Sequence, residues 1–295
     1  MVSPEMQGII DMMRQMNPLG SGDIATMRAG MDAAPPYPKP EDIEWTAVDA
    51  GGVAAEWTTA TASLEDRVLV YFHGGGYVMG SAAGHRGMCS NLARATRSRV
   101  LNVDYRLAPE APFPAAVEDA VAAVRFVLDQ GTDPARLALG GDSAGGGLTL
   151  ATLVALRDEG LPLPGAAVAI SPWVAMPASS ASIHSKGDAD PMLTPATIAV
   201  LADAYLAGAD PKSPTASPLW ADLSGLPPLL IQVGTAEVLL DEGRRVAEAA
   251  TAAGVDVTFE AWDDMIHVWH LFADMVPESR EAIEKIGAFL DERLA

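Results

Sequence analysis

The sequence predicts an α/β fold, in which a mostly parallel sheet is covered by helices on both faces. Short β-rich runs alternate along the chain with stretches of helical spacing, an order that is typical of parallel strands joined by helices. The β-rich runs are also continuously apolar, as strands buried on both faces of a sheet are. A chain of 295 residues is long enough for one large domain of this kind.

The predicted strands begin with an antiparallel edge pair near the start of the chain, EDIEWTAV followed by VAAEWTTA. The further predicted strands cover residues 67–72, 98–105, 136–141, 165–173, 227–234 and 255–262. The predicted helices cover residues 115–131, 147–160, 241–254 and 277–294. Glycine stands at the end of the first three helices, at Gly131, Gly160 and Gly254, where it commonly closes a helix.

Two regions interrupt the alternation, and we predict that they form a cap over the carboxyl edge of the sheet. They are residues 1–40, which are rich in methionine and then in proline, and residues 174–225, which are rich in Ala, Ser, Pro and Asp. A structureless loop of the latter length is unusual in a compact domain, which favours a folded insertion. The α/β domain then comprises residues 41–173 and 226–295. An apolar stripe over residues 9–16 indicates a helix, for which packing is a better interpretation than substrate contact.

The composition excludes several classes of protein. A formal net charge of −20 repels nucleic acid and anionic lipid, so neither is expected as a partner. The sequence contains no apolar run of the roughly 18 residues that a membrane span needs, and its first residues lack the pattern of a secretory signal. The one cysteine, Cys89, cannot form an internal disulfide. We therefore expect a cytoplasmic protein.

The strongest local signal is GDSAG at residues 141–145, a G-x-S-x-G between a predicted strand and a predicted helix. A sharp strand-to-helix turn projects the serine Oγ at the sheet edge, and side chains two residues to either side would collide. The N–H groups that begin the helix favour a developing anion. A phosphate-binding turn is the alternative, but the Gly-Lys-Ser/Thr ending of a P-loop is missing. We therefore predict Ser143 as a nucleophile.

A second glycine-rich segment, HGGG at residues 73–76, follows the first apolar strand. Acyl transfer forms an oxyanion, which fixed backbone N–H groups stabilise, and glycines let the backbone approach it closely. We predict the N–H groups of Gly74 and Gly75 as donors, with Gly76 as a further candidate and Ala144 as the donor after the nucleophile. The histidine of the segment is interpreted as orienting the loop rather than carrying a proton.

The general base is expected on a turn after the last strand, because nucleophile, acid and histidine follow one another in this order along such chains. His267 stands on the turn after the strand predicted over 255–262. His270 lies three residues later and is interpreted as a packing residue. His85 and His184 fall outside the expected place and are interpreted as structural.

The acid is expected after the next-to-last strand, predicted over 227–234. Glu237 stands at that strand end, where its carboxylate can hold the second ring nitrogen of the histidine and stabilise the imidazolium. Asp241 is the rival candidate, although capping or opening the next helix is a sufficient structural role for it. The chain order favours Glu237.

The combination of HGGG, DYRLAPE at residues 104–110, GDSAGG and a final IHVWH resembles the hormone-sensitive-lipase-like family of microbial esterases. The resemblance extends from about Arg67 to the end of the chain. It implies an α/β-hydrolase fold with a mostly helical cap, no cofactor, and hydrolysis of short- to medium-chain acyl esters.

The resemblance also assigns residues by motif. The nucleophile falls on Ser143, the base on His267 and the acid on Glu237, where the family usually has aspartate. Tyr77 follows the glycine loop, and lining of the acyl pocket and packing in the core are equally good interpretations of it. A homodimer is common among similar esterases, and the sequence leaves the oligomeric state open.

Two alternatives to a short-chain esterase remain. A different acyl substrate, such as a lactone, a carbamate or an acetylated small molecule, would use the same residues. A binding protein on the same scaffold is a further alternative, as in plant gibberellin receptors, but these lack the histidine that stands here at His267. A metal-dependent hydrolase is disfavoured, because the histidines are dispersed and there is no HExxH and no pair of cysteines.

Overall fold

The computed structural model describes residues 2–16, 19, 23–32, 35–176 and 178–294. Its strands are β1 (Ile43–Asp49), β2 (Ala54–Ala60), β3 (Val68–Phe72), β4 (Arg99–Val103), β5 (Leu137–Asp142), β6 (Ala166–Ile170), β7 (Leu229–Gly234) and β8 (Val257–Trp262). Its α-helices are α1 (Pro4–Met16), α2 (Ile24–Asp32), α3 (Arg86–Thr96), α4 (Ala115–Asp129), α5 (Ala144–Asp158), α6 (Ser182–Ser185), α7 (Pro195–Leu206), α8 (Leu240–Ala252) and α9 (Pro277–Arg293). Among these residues no helix is both long and apolar enough to cross a bilayer.

The strands form an eight-stranded sheet in the order β1-β2-β4-β3-β5-β6-β7-β8. The pairs β1–β2 and β2–β4 are antiparallel, whereas all neighbours from β4 to β8 are parallel. The predicted antiparallel edge pair is therefore confirmed, with a register that runs from Ile43 opposite Ala60 to Asp49 opposite Ala54. The predicted α/β class with a mostly parallel sheet is confirmed as well.

The central strands are apolar throughout because both of their faces are covered. Every residue of β3, β5, β6 and β7 is buried. In β3 the side chains of Val68, Val70 and Phe72 pack on one face, with α4, α5 and α8. Those of Leu69 and Tyr71 pack on the other face, with α3 and α9. This period of two along a fully buried strand is what a sheet between two helical layers requires.

The parallel arrangement brings five chain segments to one edge of the sheet. Residues 73–76 leave β3 at its carboxyl end, Ser143 follows β5, and Ser171 follows β6. Glu237 follows β7, and His267 follows β8. Because parallel strands all end at the same edge, residues that are far apart in sequence can meet there.

The two regions predicted as a cap supply α1, α2, α6 and α7. In α1, Met6 and Ile9 are buried and pack in one cluster with Met265 and Trp269, close in sequence to the end of β8. The packing interpretation of the apolar stripe is therefore confirmed for Ile9 and Ile10, whereas Met12 and Met16 of the same stripe are exposed.

Helix α7 lies over the carboxyl edge of the sheet. Its Leu201 side chain rests against Gly76 in the glycine loop, and Ile198 and Leu201 line a cavity shared with Ser143. The division into a cap of residues 1–40 and 174–225 and a domain of residues 41–173 and 226–295 stays a prediction.

Candidate active site

Ser143 lies on a strained turn between β5 and α5. Its backbone has φ 55° and ψ −118°, a conformation that few residues other than glycine adopt. A Cβ at Gly141 would overlap the carbonyl oxygen of Gly145, and a Cβ at Gly145 would overlap the carbonyl oxygen of Phe72. The steric reason given for glycine on both sides of the serine is therefore confirmed, and the turn presents the serine to the cavity.

His267 reaches Ser143 from the turn that follows β8. Its Nε2 lies 2.9 Å from Ser143 Oγ, which is hydrogen-bond distance. The imidazole is 2% exposed, so its surroundings fix its orientation. The structure thus brings together the two residues that sequence reasoning predicted as nucleophile and base.

Glu237 stands behind His267 and is fully buried. Its Oε2 lies 3.7 Å from His267 Nδ1, a contact longer than a hydrogen bond. The same oxygen accepts hydrogen bonds from Ser171 Oγ at 2.7 Å and from Gly234 N at 3.3 Å. The carboxylate therefore faces the imidazole but is held in place by other donors.

The two groups perturb one another electrostatically. Burial lowers the pKa of His267, but the Glu237 carboxylate, together with Asp190 and Asp142, raises it by more, so the net shift is upward. Burial raises the pKa of Glu237, and contacts with His267 and Ser171 only partly offset that rise. Each group thus shifts the pKa of the other toward an ion pair, while burial opposes the charge on both.

The rival acid, Asp241, has other partners. Its Oδ2 accepts a hydrogen bond from the backbone N–H of Ser182 at 2.9 Å, at the start of α6. Its Oδ1 is 3.2 Å from Arg244 in the same helix, α8. Asp241 thus ties the insertion to α8, and of the two candidates it is Glu237 that the structure places beside His267.

Three of the other four histidines differ in their surroundings. His270 is buried, its Nε2 lies 2.8 Å from Gln232 Oε1, and burial lowers its pKa to about 3, which fits the predicted packing role. His184 is exposed on α6. His85 was predicted to be only structural because it precedes the serine in sequence, but it lines the cavity that contains Ser143.

In the glycine loop, one of the predicted oxyanion donors is wrong. The N–H of Gly74 donates to Oδ1 of Asp142 at 3.1 Å, so this amide is engaged and does not serve an oxyanion. Within the described residues, the amides of Gly75, Gly76 and Ala144 make no hydrogen bond. Gly75 and Ala144 thus stay candidate donors, and Gly76 takes the place of Gly74.

Asp142 anchors the loop to the strand that carries the nucleophile. It is 2% exposed, and its Oδ1 accepts a second hydrogen bond from the Tyr71 hydroxyl at 2.7 Å. His73 supports the loop from the other side, because its ring stacks on Tyr105 at 4.3 Å and its Nδ1 lies 2.7 Å from Gly74 O. Burial lowers the pKa of His73 to about 3, in keeping with an orienting role.

A cavity of about 110 Å³ opens beside Ser143. Its apolar wall consists of Leu19, Met31, Met79, Trp173, Met192, Leu193, Ile198, Leu201, Leu239, Val268 and Leu271. Tyr77 is not among the lining residues described: it is 1% exposed and stacks on Tyr205 at 3.9 Å. Of its two interpretations, packing in the core is therefore correct.

The site places a serine hydroxyl beside an imidazole and near backbone amides that make no hydrogen bond among the described residues. Across the described ranges of the chain, no three His, Cys, Asp or Glu side chains are grouped to bind a metal ion. The sheet and the strained serine at the end of β5 define a protein of the α/β-hydrolase class.

Comparison with known proteins agrees with this class. A family model described as alpha/beta hydrolase fold matches residues 69–271. An acetyl-hydrolase of Streptomyces hygroscopicus is 46% identical over 295 residues, which cover 98% of this chain and 97% of the relative. The esterase EstE5, in a crystal soaked with p-nitrophenyl butyrate, is 48% identical with a TM-score of 0.95 over 99% of both chains.

A further solved structure narrows the assignment. It is an esterase from the bacterial hormone-sensitive lipase family, 47% identical with a TM-score of 0.94 over 99% of both chains. The chain therefore belongs to the α/β-hydrolase family, among its hormone-sensitive-lipase-like esterases. The resemblance carried by HGGG and GDSAGG is confirmed.

Proposed function

We propose that this protein is a serine carboxylester hydrolase that acts on short- to medium-chain acyl esters. The observation that carries the proposal is the 2.9 Å contact between Ser143 Oγ and His267 Nε2 at the wall of an apolar cavity. A serine hydroxyl is a weak nucleophile until an adjacent base accepts its proton, and this contact provides that base. Similarity to an acetyl-hydrolase and to esterases supports the same activity.

In the first step the hydroxyl proton of Ser143 passes to His267 Nε2 as Oγ bonds to the ester carbonyl carbon. Glu237 stabilises the resulting imidazolium. Its distance of 3.7 Å from Nδ1 at rest is expected to shorten when that charge forms, because catalytic hydrogen bonds often tighten only in the reacting complex.

The carbonyl oxygen becomes an oxyanion in the same step. The amides of Gly75, Gly76 and Ala144 are the proposed donors to it. Ala144 begins α5, so the positive end of the helix dipole adds to the stabilisation. Donors that are already fixed in place need no reorganisation when the charge develops.

The tetrahedral intermediate then loses the alcohol. The bond between the carbonyl carbon and the alcohol oxygen breaks, His267 gives its proton to that oxygen, and the acyl group stays on Ser143. Water hydrolyses the acyl-enzyme by the same path: His267 takes a water proton as the water oxygen bonds to the acyl carbon. The bond between that carbon and Ser143 Oγ then breaks, His267 returns the proton to Oγ, and the carboxylic acid leaves. The chain's own side chains perform every proton transfer, and no cofactor is proposed.

The experiment that tests the proposal is hydrolysis of p-nitrophenyl acetate, butyrate, octanoate and palmitate. We expect the wild type to turn over the shorter esters, because the cavity is small and apolar. Ser143→Ala is expected to lower kcat by about a thousandfold or more. Ser63→Ala, in the turn after β2, is the matched control and should retain activity. Unchanged turnover in Ser143→Ala would exclude the proposed nucleophile.

We further propose that the protein acts in the cytoplasm on small-molecule esters. The free and buried state of Cys89 supports a reducing compartment. The net charge of −20 supports the absence of nucleic acid and anionic membranes among its partners. A homodimer stays a prediction, which sedimentation equilibrium of the purified protein tests.

A further inference from the structure

A second histidine faces the catalytic cavity. His85 closes a short 3-10 turn at Ala83–His85 before α3, is 5% exposed, and lines the cavity together with Ser143 and His267. It takes no part in the proton transfers proposed above. A buried ionisable group beside a reaction centre needs a physical account.

The neighbours of His85 favour its protonated form. Its Nε2 lies 3.5 Å from Oδ1 of Asp142, an ion-pair distance longer than a hydrogen bond, and its Nδ1 lies 3.3 Å from the carbonyl oxygen of Ser81. A carboxylate and a carbonyl are both acceptors, and an imidazolium offers a hydrogen to each of them. His73 differs, because within the described residues its Nε2 has no hydrogen-bond partner.

Asp142 needs such a counter-charge. It precedes the nucleophile in sequence and holds the amide of Gly74, so its carboxylate lies against the loop that receives the oxyanion. Two like charges in a buried site repel strongly. An uncompensated Asp142 would therefore oppose the negative charge that forms on the substrate.

The other ionisable groups around the pair do not supply that charge. Arg86, next to His85, binds Glu56 at 2.9 Å through its Nε and so is already paired. Among the remaining ones, Tyr71, Tyr105, Cys89 and His73 are uncharged, and Asp104 is a carboxylate that binds the Ala82 amide. His267 also interacts with Asp142, but it must be neutral before it accepts the proton of Ser143.

We propose that His85 is a positioning residue for ester hydrolysis, which as an imidazolium neutralises Asp142 so that this carboxylate can fix the oxyanion loop without repelling the oxyanion. The inference rests on the proposed esterase function. Burial lowers the pKa of His85, but Asp142 raises it by more, so the net shift is upward. The charged pair therefore exists between the lowered pKa of Asp142 and the raised pKa of His85, and it is lost as the pH rises through the latter, where kcat should fall.

A double-mutant cycle tests the proposal. Asp142→Asn keeps an acceptor for Gly74 but removes the charge, and His85→Gln keeps a donor but leaves Asp142 uncompensated. We expect His85→Gln alone to lower kcat by about ten- to a hundredfold, with little change in KM because the bound ester is neutral. The variant with both substitutions should recover most of that loss, and its kcat should lack the alkaline decline of the wild type.

His270→Gln is the matched control, because His270 is a buried histidine that is neutral in its site. It should leave the alkaline decline of kcat in place, even if it lowers the melting temperature. Additive losses in kcat in the double variant, or an alkaline decline that persists in it, would overturn the proposal.

NMR spectra of protein that is isotopically labelled in histidine separate this inference from the proposed function. They report the protonation of His85 whether or not an ester is hydrolysed. An imidazolium at neutral pH that becomes neutral in Asp142→Asn would support the pair, and a neutral His85 in the wild type would overturn it. A wild type that hydrolyses no ester would overturn the proposed function, and the role of the pair with it.

Discussion

Ser171 Oγ donates a 2.7 Å hydrogen bond to Oε2 of Glu237 and accepts one, at 3.2 Å, from the backbone N–H of Val268. One buried hydroxyl thus joins the carboxylate at the end of β7 to the residue after His267. Ser171 has φ 43°, a left-handed conformation that directs the chain at the end of β6. The spacing between acid and base therefore depends on a residue that takes no proton itself.

Ser171→Ala is expected to lower kcat by about ten- to a hundredfold, because a hydrogen bond to a charged group contributes about 1.5–3 kcal/mol. Without that donor the Glu237 carboxylate becomes more basic and raises the pKa of His267, so the acid limb of kcat/KM moves to higher pH. Ser279→Ala is the control, since Ser279 is a buried serine that donates to Trp269 O at 2.6 Å. It should cost stability and leave the acid limb in place.

The pH dependence of kcat/KM follows from the pKa of His267, which must be neutral to accept the serine proton. Since that pKa is raised by Glu237, activity should fall as the pH drops through a value above the ordinary pKa of about 6.5. Glu237→Gln removes the charge and leaves the effect of burial, so the acid limb should move to lower pH.

The same substitution, Glu237→Gln, should lower kcat by about a hundredfold or more, because the imidazolium loses its counter-charge. Asp241→Asn is the control that distinguishes the two carboxylates. Its carboxylate binds Ser182 and Arg244, so kcat and the acid limb should change little. Assays across pH measure both quantities. A large fall in kcat in Asp241→Asn, with little change in Glu237→Gln, would assign the acid to Asp241.

Gly145→Ala should prevent stable folding, because a Cβ there would overlap the backbone of Phe72 and His73. Backbone atoms of a central strand cannot move without breaking the sheet. Gly8→Ala is the contrasting variant: a Cβ at Gly8 in α1 meets no atom within 4 Å, and alanine in a helix gains about 0.5–1 kcal/mol. In thermal denaturation, Gly8→Ala should raise the melting temperature slightly, whereas Gly145→Ala should show no folded state or a much lower melting temperature. A stable Gly145→Ala protein would refute the steric argument.

Leu201→Ala should shift the preference toward longer acyl chains, because Leu201 forms part of the cavity wall and also rests against Gly76. Loss of the buried side chain should cost about 2–5 kcal/mol of stability. Val200→Ala is the matched control on the same helix, where Val200 is 44% exposed. The ratio of kcat/KM for octanoate and butyrate measures the shift, and an unchanged ratio would remove Leu201 from the specificity determinants.

The fold could be predicted from the sequence because the central strands are apolar without interruption and turn residues separate them from the helices. Two helices show the limits of this reasoning. Helix α5 begins at Ala144 rather than at residue 147. The glycines that suggest a loop let the helix lie close to neighbouring backbone, Gly145 against Phe72 and Gly146 against Ile170. Helix α3 was not predicted, because RGMCSNLARAT contains several residues of low helix propensity.

The nucleophile, base and acid could be located because chain order in a parallel sheet decides which residues share an edge. The partner of the Gly74 amide could not, since it depends on where the Asp142 side chain points. The position of His85 was missed for a related reason, because the chain leaves the site after the glycine loop and comes back to it at His85. The available signal was Asp142, a charged residue at the end of an apolar strand, since a buried carboxylate requires a partner.

The origin of the cavity wall has a practical consequence for redesign. The residues proposed to transfer protons, Ser143 and His267, directly follow strands or lie on the turns after them. Much of the apolar cavity wall instead comes from outside the sheet, at Leu19, Met31, Met192, Ile198 and Leu201. A mutagenesis library restricted to these five positions can alter which acyl group fits while it keeps Ser143, His267 and Glu237. Selectivity and reactivity are thus separable traits of this enzyme, open to independent optimisation.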